Sequence, residues 1–312
     1  MKAAVLHEIG GVPHYQDFPD PVPGAGQVLV RVVAVAVENV DRAIAAGEHY
    51  AGGAMMAELP AIPCFDGIGT LPDGRLVGFG GLTAPYGALA EFTVIPEAAF
   101  APVPDDVDPA VASVLASAFT GMAIKSAAGF TAGESVLIQG ATGVAGRLAV
   151  QVARLLGAGR IVATGRDDEA LRALGADAVI DTRLGDDELA AAFAAERTDV
   201  VLDYLWGRPT EILLRSLIPD SFAFPAPTRV VQVGASAGDT IDLPASSLRT
   251  SGVEIYGAAK GMAASMAETY EQIIRWTRAG DLTFELEKVP LSDIERAWRE
   301  GAPRGRRLVV LP

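Results

Sequence analysis

The chain contains one cysteine, Cys64, among 312 residues. That excludes an internal disulfide and a four-cysteine zinc site, and it points to a reducing compartment. Cationic residues are also short: 25 Lys and Arg stand against 39 Asp and Glu, a formal net charge of −14. This balance argues against nucleic acid, whose phosphates it would repel, and favours solubility without naming a substrate. No uninterrupted apolar run approaches membrane-spanning length. The apolar Ala3-Ala4-Val5-Leu6 is closed by His7 and Glu8, too early for a signal peptide, so we expect a cytoplasmic protein. There is no internal repeat and no low-complexity tract, and neither His7 nor His14 has a partner in the sequence.

Hydrophobic residues make up half of the chain, at a length that fits two domains better than one. The organising stretch is Ser135 to Arg166. Ser135-Val136-Leu137-Ile138-Gln139 is a β-favouring run bounded by Gly133 and Gly140. Val144, Leu148, Val152 and Leu155 recur at helical spacing, Gly157 stops that helix, and Arg160 to Thr164 is the next buried strand. Between them, Gly140-Ala141-Thr142-Gly143-Val144-Ala145-Gly146 places glycines where a backbone turns tightly, approaches a pyrophosphate and lets the helix sit close on the strand. The first glycine pair is spaced G-x-x-G rather than G-x-G. The strand before, the helix after and a second strand about twenty residues on are nevertheless the context of a dinucleotide-binding turn. A tight α/β turn without a ligand is the alternative.

The end of the second strand selects the cofactor. An NAD site holds an acid there for the ribose 2′-hydroxyl, whereas a 2′-phosphate needs the acid absent and a cation near. This chain has Gly165 followed by Arg166, whose guanidinium can grip a phosphate bidentately, so NADPH is expected. A solvated surface arginine is the plain alternative. Asp167 and Asp168 read as caps of the next helix, and Arg183, after the third strand, as a weaker, solvated second cation.

Residues 1 to about 110 differ in texture, with short strands and many Pro and Gly. Val28 to Val37 is a long valine-rich strand, Leu71 to Leu76 a hairpin around Asp73-Gly74, and Gly87 to Ile95 a strand closed by Pro96. Together they suggest a small, partly open β-barrel. A helix begins at Asp108-Pro109 and a second spans Thr120 to Ala128. Helices and apolar strands then alternate to Tyr256, as in a doubly wound parallel sheet whose ligands bind at the strands' carboxyl ends. A long helix, about Ala263 to Arg278, precedes a closing segment that reads as a return to the first domain.

Several stretches together resemble the zinc-independent, quinone oxidoreductase-like branch of the medium-chain dehydrogenase/reductases. They are MKAAVLHEIGG, Val35 to Asp41, Pro63-Cys64-Phe65-Asp66-Gly67, Tyr86 to Phe92, Thr120-Gly121, Gly133 through Gly146, Leu174-Gly175-Ala176-Asp177 and Gly305 to Leu311. The resemblance implies an α/β protein, with a GroES-like catalytic domain from residues 1–110 and 264–312 and a Rossmann domain over 111–263. It implies a homodimer paired through the strand near Glu254 to Tyr256. Where the superfamily's alcohol dehydrogenases keep zinc ligands, this chain has Asn39-Val40-Asp41 and Cys64-Phe65-Asp66-Gly67, so no metal is expected. His49, Cys64 and Asp66 are the best that an unconventional metal site would find.

The chemistry implied is hydride transfer from NADPH to a quinone or an α,β-unsaturated carbonyl compound. Asn39 and Tyr50 resemble the family's active-site Asn and Tyr and are the candidate donors to the carbonyl oxygen, with a turn residue and a loop-packing aromatic as their plain readings. Thr120 resembles the threonine facing the nicotinamide, or else caps a helix. Gly234-Ala235 resembles the segment whose backbone meets the carboxamide. Tyr204 and Trp206 stand where the family has smaller residues and are candidates for narrowing the substrate pocket, Trp206 otherwise being core. The insertion Pro219 to Thr228 is expected at the sheet edge opposite the ligand. A stand-alone enoyl reductase of a biosynthetic pathway and a catalytically inactive nucleotide-binding or sensing protein are the alternatives.

Overall fold

The computed structural model describes residues 1–221 and 225–312 and divides into two units, Met1–Leu115 with Phe284–Pro312, and Ala116–Thr283. In unit 1, Lys2–Val5 (β1) and His14–Asp17 (β2) pair antiparallel. Gln27–Val37 (β3) follows, then the helices Asn39–Ala46 (α1) and Gly52–Met55 (α2). Gly67–Thr70 (β4), Leu76–Phe79 (β5), Phe92–Pro96 (β6), Phe100–Pro102 (β7) and the short helix Pro109–Ala112 (α3) complete the first pass. The Asp73-Gly74 turn joins β4 to β5, with Gly74 at φ 87°.

The central β3 pairs with β4 and β6, and its far end receives the closing strand of the chain, so residues from both termini share one seven-stranded sheet. Val30, Leu6, Leu89, Ile95, Ile294 and Val310 meet in its core. The strand expected over Gly87 to Ile95 begins only at Phe92. A Cβ on Gly87 would stand 2.1 Å from the Ile62 oxygen and 2.5 Å from that of Pro63, and the Ala88 and Leu89 amides bond to Cys64 and Pro63 carbonyls. These bonds draw the segment away from the ladder before Phe92.

Unit 2 opens on Leu115–Ser126 (α4), which starts before the expected Thr120. Ser135–Gln139 (β8), Val144–Leu155 (α5) and Arg160–Gly165 (β9) follow as the sequence pattern requires. Asp168–Ala173 (α6), Ala178–Asp181 (β10), Asp186–Ala195 (α7), Val200–Asp203 (β11) and Gly207–Ser216 (α8) continue the alternation. Thr228–Gln232 (β12), Ala245–Arg249 (α9), Val253–Gly257 (β13) and Met262–Ala279 (α10) complete it. The six strands are parallel in the order β10-β9-β8-β11-β12-β13. This is the doubly wound order in which the connections reverse direction between the first and fourth strands. β8 and β11 flank that reversal, and β10 and β13 are the edges. Of the insertion 219–228, residues 222–224 lie outside the described residues, and Thr228 opens β12.

The chain returns to unit 1 at Phe284, not near residue 264. The long helix α10 belongs to unit 2 because it is tied to α4: Lys125 bonds Glu268 at 3.0 Å, and Phe119 faces Tyr270 with ring centroids 6.5 Å apart. Back in unit 1, Leu286–Pro290 (β14), Ile294–Glu300 (α11) and Arg307–Leu311 (β15) close the sheet. No helix among the described residues is long and apolar enough to cross a membrane.

Helix α5 buries Leu148, Ala149, Val152 and Ala153 and leaves Arg154 outside. Its first turn presses on the end of β8: a Cβ on Gly146 would lie 2.3 Å from the Gly140 oxygen and 2.7 Å from the Ala141 Cα. Both obstacles are backbone and cannot swing aside. Gly146→Ala should therefore lower stability by ~1–3 kcal/mol through overpacking, read as a lower urea midpoint at unchanged slope. An unchanged midpoint would mean that the helix has room to retreat.

Candidate active site

The turn between β8 and α5 is anchored from below. Gly140 adopts φ 78°, open to glycine, and a Cβ there would strike the Leu205 side chain at 2.8 Å. The Ala141 amide bonds to the Thr164 carbonyl at 2.9 Å, fastening the turn to β9. Arg147 Nε donates to the Thr142 carbonyl at 3.1 Å and braces the turn from the helix side. Gly143 is the N-cap of α5, and no side chain caps that end, so its first amides face an open, exposed glycine. A helix start of this kind presents uncapped N–H groups and a partial positive charge suited to a diphosphate.

At the end of β9, Gly165 packs against Thr142, whose Cγ2 would lie 2.9 Å from an added Cβ. A side chain at that position would have to displace Thr142. Arg166 is exposed beside it, and no hydrogen bond or ion pair holds its side chain among the described residues. Asp167 accepts from the Ala170 amide at 3.1 Å and caps α6, as the sequence implied. Asp168 is held by Arg183 at 3.3 Å, and Arg183 is itself bound at 2.7 Å to Asp181, the residue of β10 paired with Gly165.

The carboxyl end of β11 rests on a network that sequence reasoning missed. Asp203 is fully buried and accepts from Thr210 Oγ1 at 2.5 Å and from the Leu205 and Trp206 amides at 2.8 and 3.1 Å. Burial raises its carboxyl above the usual range, while these donors pull it back. Gln139 Nε2 donates to Thr210 Oγ1 at 3.1 Å, so the last residue of β8 joins the same network. The only sequence signal was an acid ending an apolar strand. The loop it supports carries Trp206 at φ 55° and Tyr204, whose hydroxyl lies 2.8 Å from Thr120 Oγ1. Thr120 sits inside α4 and bonds back to the Ser117 carbonyl at 2.9 Å, so the helix-capping reading falls. Gly234 and Ala235 follow β12, and this loop is stitched to the first: the Ser236 amide reaches the Tyr204 carbonyl at 3.3 Å and the Ala237 amide that of Leu205 at 2.7 Å.

In unit 1, Asn39 is the exposed first residue of α1. Tyr50 is 96% exposed and lies against His49, ring centroids 4.3 Å apart. His49 Nδ1 accepts from the Ala51 amide at 3.2 Å, the arrangement of a loop histidine. Among the described residues no three His, Cys, Asp or Glu gather as a metal site. Deeper in the unit, Asp41 is 2% exposed. Its Oδ2 accepts the Glu38 amide at 2.8 Å in a capping box, and its Oδ1 has no hydrogen-bond partner among the described residues. Both Asp41 and Cys64, the latter at φ 66°, line a small cavity walled by Met55, Met56, Phe65 and Leu82. Burial, with the Asp41 and Asp66 carboxyls nearby, pushes the Cys64 thiol well up, and burial does the same to Asp66. Cys64 is therefore an inert thiol at neutral pH. Arg307 answers part of this charge, 3.6 Å from Glu38.

A parallel sheet with an anion-receiving glycine turn at its reversal point, in one chain with a mainly antiparallel seven-stranded unit, defines a two-unit Rossmann protein. The family model of zinc-binding dehydrogenases matches residues 145–279, a stretch within unit 2 that excludes Asn39 to Gly67. An NADPH-dependent alkenal/one oxidoreductase of Arabidopsis thaliana is 32% identical over 209 residues, covering 58% of this chain and 52% of that protein. The chain thus spans about half the length of that relative. A trans-enoyl reductase of Aspergillus terreus is 28% identical over 293 residues, covering 85% and 79%. The solved quinone oxidoreductase from Thermus thermophilus, described with its NADPH complex, aligns over the whole of both chains at 27% identity and TM-score 0.77. In sequence over part of its length, and in fold over all of it, the chain is similar to the medium-chain dehydrogenase/reductases of the quinone oxidoreductase-like branch, with their GroES-like and Rossmann folds.

Asp41 gives this site a pH signature. Burial pushes its carboxyl up to about 7, more than the Glu38 and Phe65 amides and Arg307 pull it down. The folded value lies above the unfolded one, so the folded chain holds an extra proton between about pH 4 and pH 7, and stability falls as pH rises through that window. Asp41→Asn cannot ionise. Between pH 5 and pH 8 its urea-derived stability should fall by ~2–3 kcal/mol less than that of the parent; identical falls would mean that Asp41 titrates as an ordinary carboxylate.

Proposed function

We propose that the protein is an NADPH-dependent, zinc-independent oxidoreductase that reduces quinones or α,β-unsaturated carbonyl compounds. The observation that carries this reading is the end of β9: the chain has no side chain at Gly165, where one would have to displace Thr142, Asp167 and Asp168 are engaged by the Ala170 amide and Arg183, and Arg166 stands exposed. The relatives that reduce alkenals and quinones supply the reaction class.

Gly140, Ala141 and Gly143 shape the turn, their own amides held by Thr164 and the Gly140 carbonyl, the amides of Thr142, Val144 and Ala145 receive the diphosphate, Gly165 leaves room for the ribose, and Arg166 pairs with the 2′-phosphate. Gly234 and Ala235 hold the nicotinamide end, and Thr120 supports it through its bond to Tyr204. When bound, the cofactor supplies a hydride. Negative charge then develops on the acceptor's carbonyl oxygen, and the Asn39 amide and the Tyr50 phenol donate to it. Proximity provides much of the rate, and water can protonate the carbon. Tyr204 and Trp206 border the ring end, Trp206 as a wall for a flat acceptor. A homodimer formed along the β13 edge, in the cytoplasm, completes the reading. A stand-alone enoyl reductase is the second reading, favoured by the likeness to the Aspergillus terreus enzyme over most of both chains.

Assays of NADPH oxidation with simple quinones, enones and enoyl thioesters separate these readings. Tight binding without turnover on any of them would leave a nucleotide-binding protein. Arg166→Ala should weaken NADPH ~10- to 100-fold, the worth of charge-assisted hydrogen bonds, and leave NADH nearly unchanged; equal weakening of both removes the 2′-phosphate role. Tyr50→Phe should slow the hydride-transfer step with cofactor affinity intact, and unaltered single-turnover rates would return Tyr50 to a surface residue.

A further inference from the structure

We infer that Tyr204 recognises the carboxamide of the nicotinamide ring, accepting its N–H through a phenol oxygen whose own proton is committed to Thr120. The inference rests on the NADPH reading and deepens it.

Proton counting makes the assignment. The Ser117 carbonyl can only accept, and Thr120 Oγ1 lies 2.9 Å from it, so the single threonine proton points there. The 2.8 Å contact between Thr120 Oγ1 and the Tyr204 hydroxyl must then be filled by the tyrosine proton. Burial holds the phenol well above its ordinary range, which keeps that proton in place. What remains on the Tyr204 oxygen is lone pairs, and among the described residues no other donor reaches it. A ligand group meeting this oxygen has to bring a proton of its own.

Placement says which group. Tyr204 is the first residue after β11, beside the glycine turn after β8, where the connections reverse. A Cβ on Gly140 would lie 3.5 Å from the Tyr204 Cβ. Its backbone is fixed on both sides, the amide donating to the Gln139 carbonyl at 3.3 Å and the carbonyl accepting from Ser236 Oγ at 2.9 Å. The ring therefore stands at the crevice used by dinucleotides in this topology. At its ring end such a cofactor offers an amide N–H2 beside a carbonyl oxygen. An oxygen with only lone pairs accepts the first and repels the second, which sets the rotation of the carboxamide. Thr120 acts through Tyr204 and is a positioning residue.

The test is a ratio of dissociation constants by titration calorimetry on the intact protein, for NADPH and its 3-acetylpyridine analogue, in which a methyl replaces the N–H2. The analogue should bind ~3- to 10-fold more weakly than NADPH, the worth of one hydrogen bond, and the thionicotinamide analogue, which keeps the N–H2, should follow NADPH. Tyr204→Phe should bring the ratio close to one. Thr120→Val, which frees the phenol proton to meet a carbonyl oxygen, should narrow the ratio, and Thr120→Ser should restore it. Because the readout is a ratio, a general loss of affinity or stability does not imitate it. A parent protein that does not discriminate, or a ratio unmoved by Tyr204→Phe, overturns the inference while leaving NADPH binding intact; failure to bind NADPH at all overturns the cofactor reading itself.

Discussion

The backbone-to-backbone approach of α5 to the end of β8 is the constraint on which unit 2 is built. With hydrogen alone on Gly146, the first helical turn comes against the Gly140 oxygen, and the amides at the helix start are carried over the strand's end. Any side chain there would lift the helix, widen the turn and displace Thr142 from Gly165. The bareness of the β9 end follows from the same contact, since Thr142 fills the space a side chain on Gly165 would need.

A second set of contacts makes the other half of the crevice rigid. Asp203, buried under the loop after β11, trades its hydration for bonds from Thr210 and two amides, which pair both of its oxygens. It reaches β8 through Gln139 and the β12 loop through the backbone, so the three strand ends are tied to one another. The left-handed backbone at Trp206 is held by this network. Tyr204 owes its fixed position to the same support.

Unit 1 shows the opposite economy. Its acids Asp41 and Asp66 are close enough for the Asp41 charge to act on Asp66, with Arg307 as partial compensation, and burial rather than pairing dominates their behaviour. Burial raises both carboxyls and the Cys64 thiol beside them, which favours their uncharged forms. The hydrogen-bonding groups presented to the outside, Asn39 and Tyr50, lie on exposed segments instead.

Periodicity and glycine placement were enough to read the parallel sheet, the glycine turn, the hairpin at Asp73-Gly74 and the capping role of Asp167, because each depends on neighbours within a few residues. Arg166 and the missing acid before it were legible for the same reason. The extent of α4, the late start of β6 and the assignment of α10 to unit 2 were not. Each is settled by contacts between distant segments, such as Lys125 with Glu268 and Gly87 with the carbonyls of residues 62–64. The Asp203 network and the Tyr204–Thr120 pair join residues 71 and 84 positions apart or lie under a loop, and no local pattern encodes which proton goes to which oxygen. The sequence by itself determined a doubly wound sheet with a dinucleotide turn. Only the tertiary structure decided which polar groups at the strand ends are committed to one another and which remain to meet a ligand, since a hydrogen bond between remote residues exists only once packing has brought them within 3 Å.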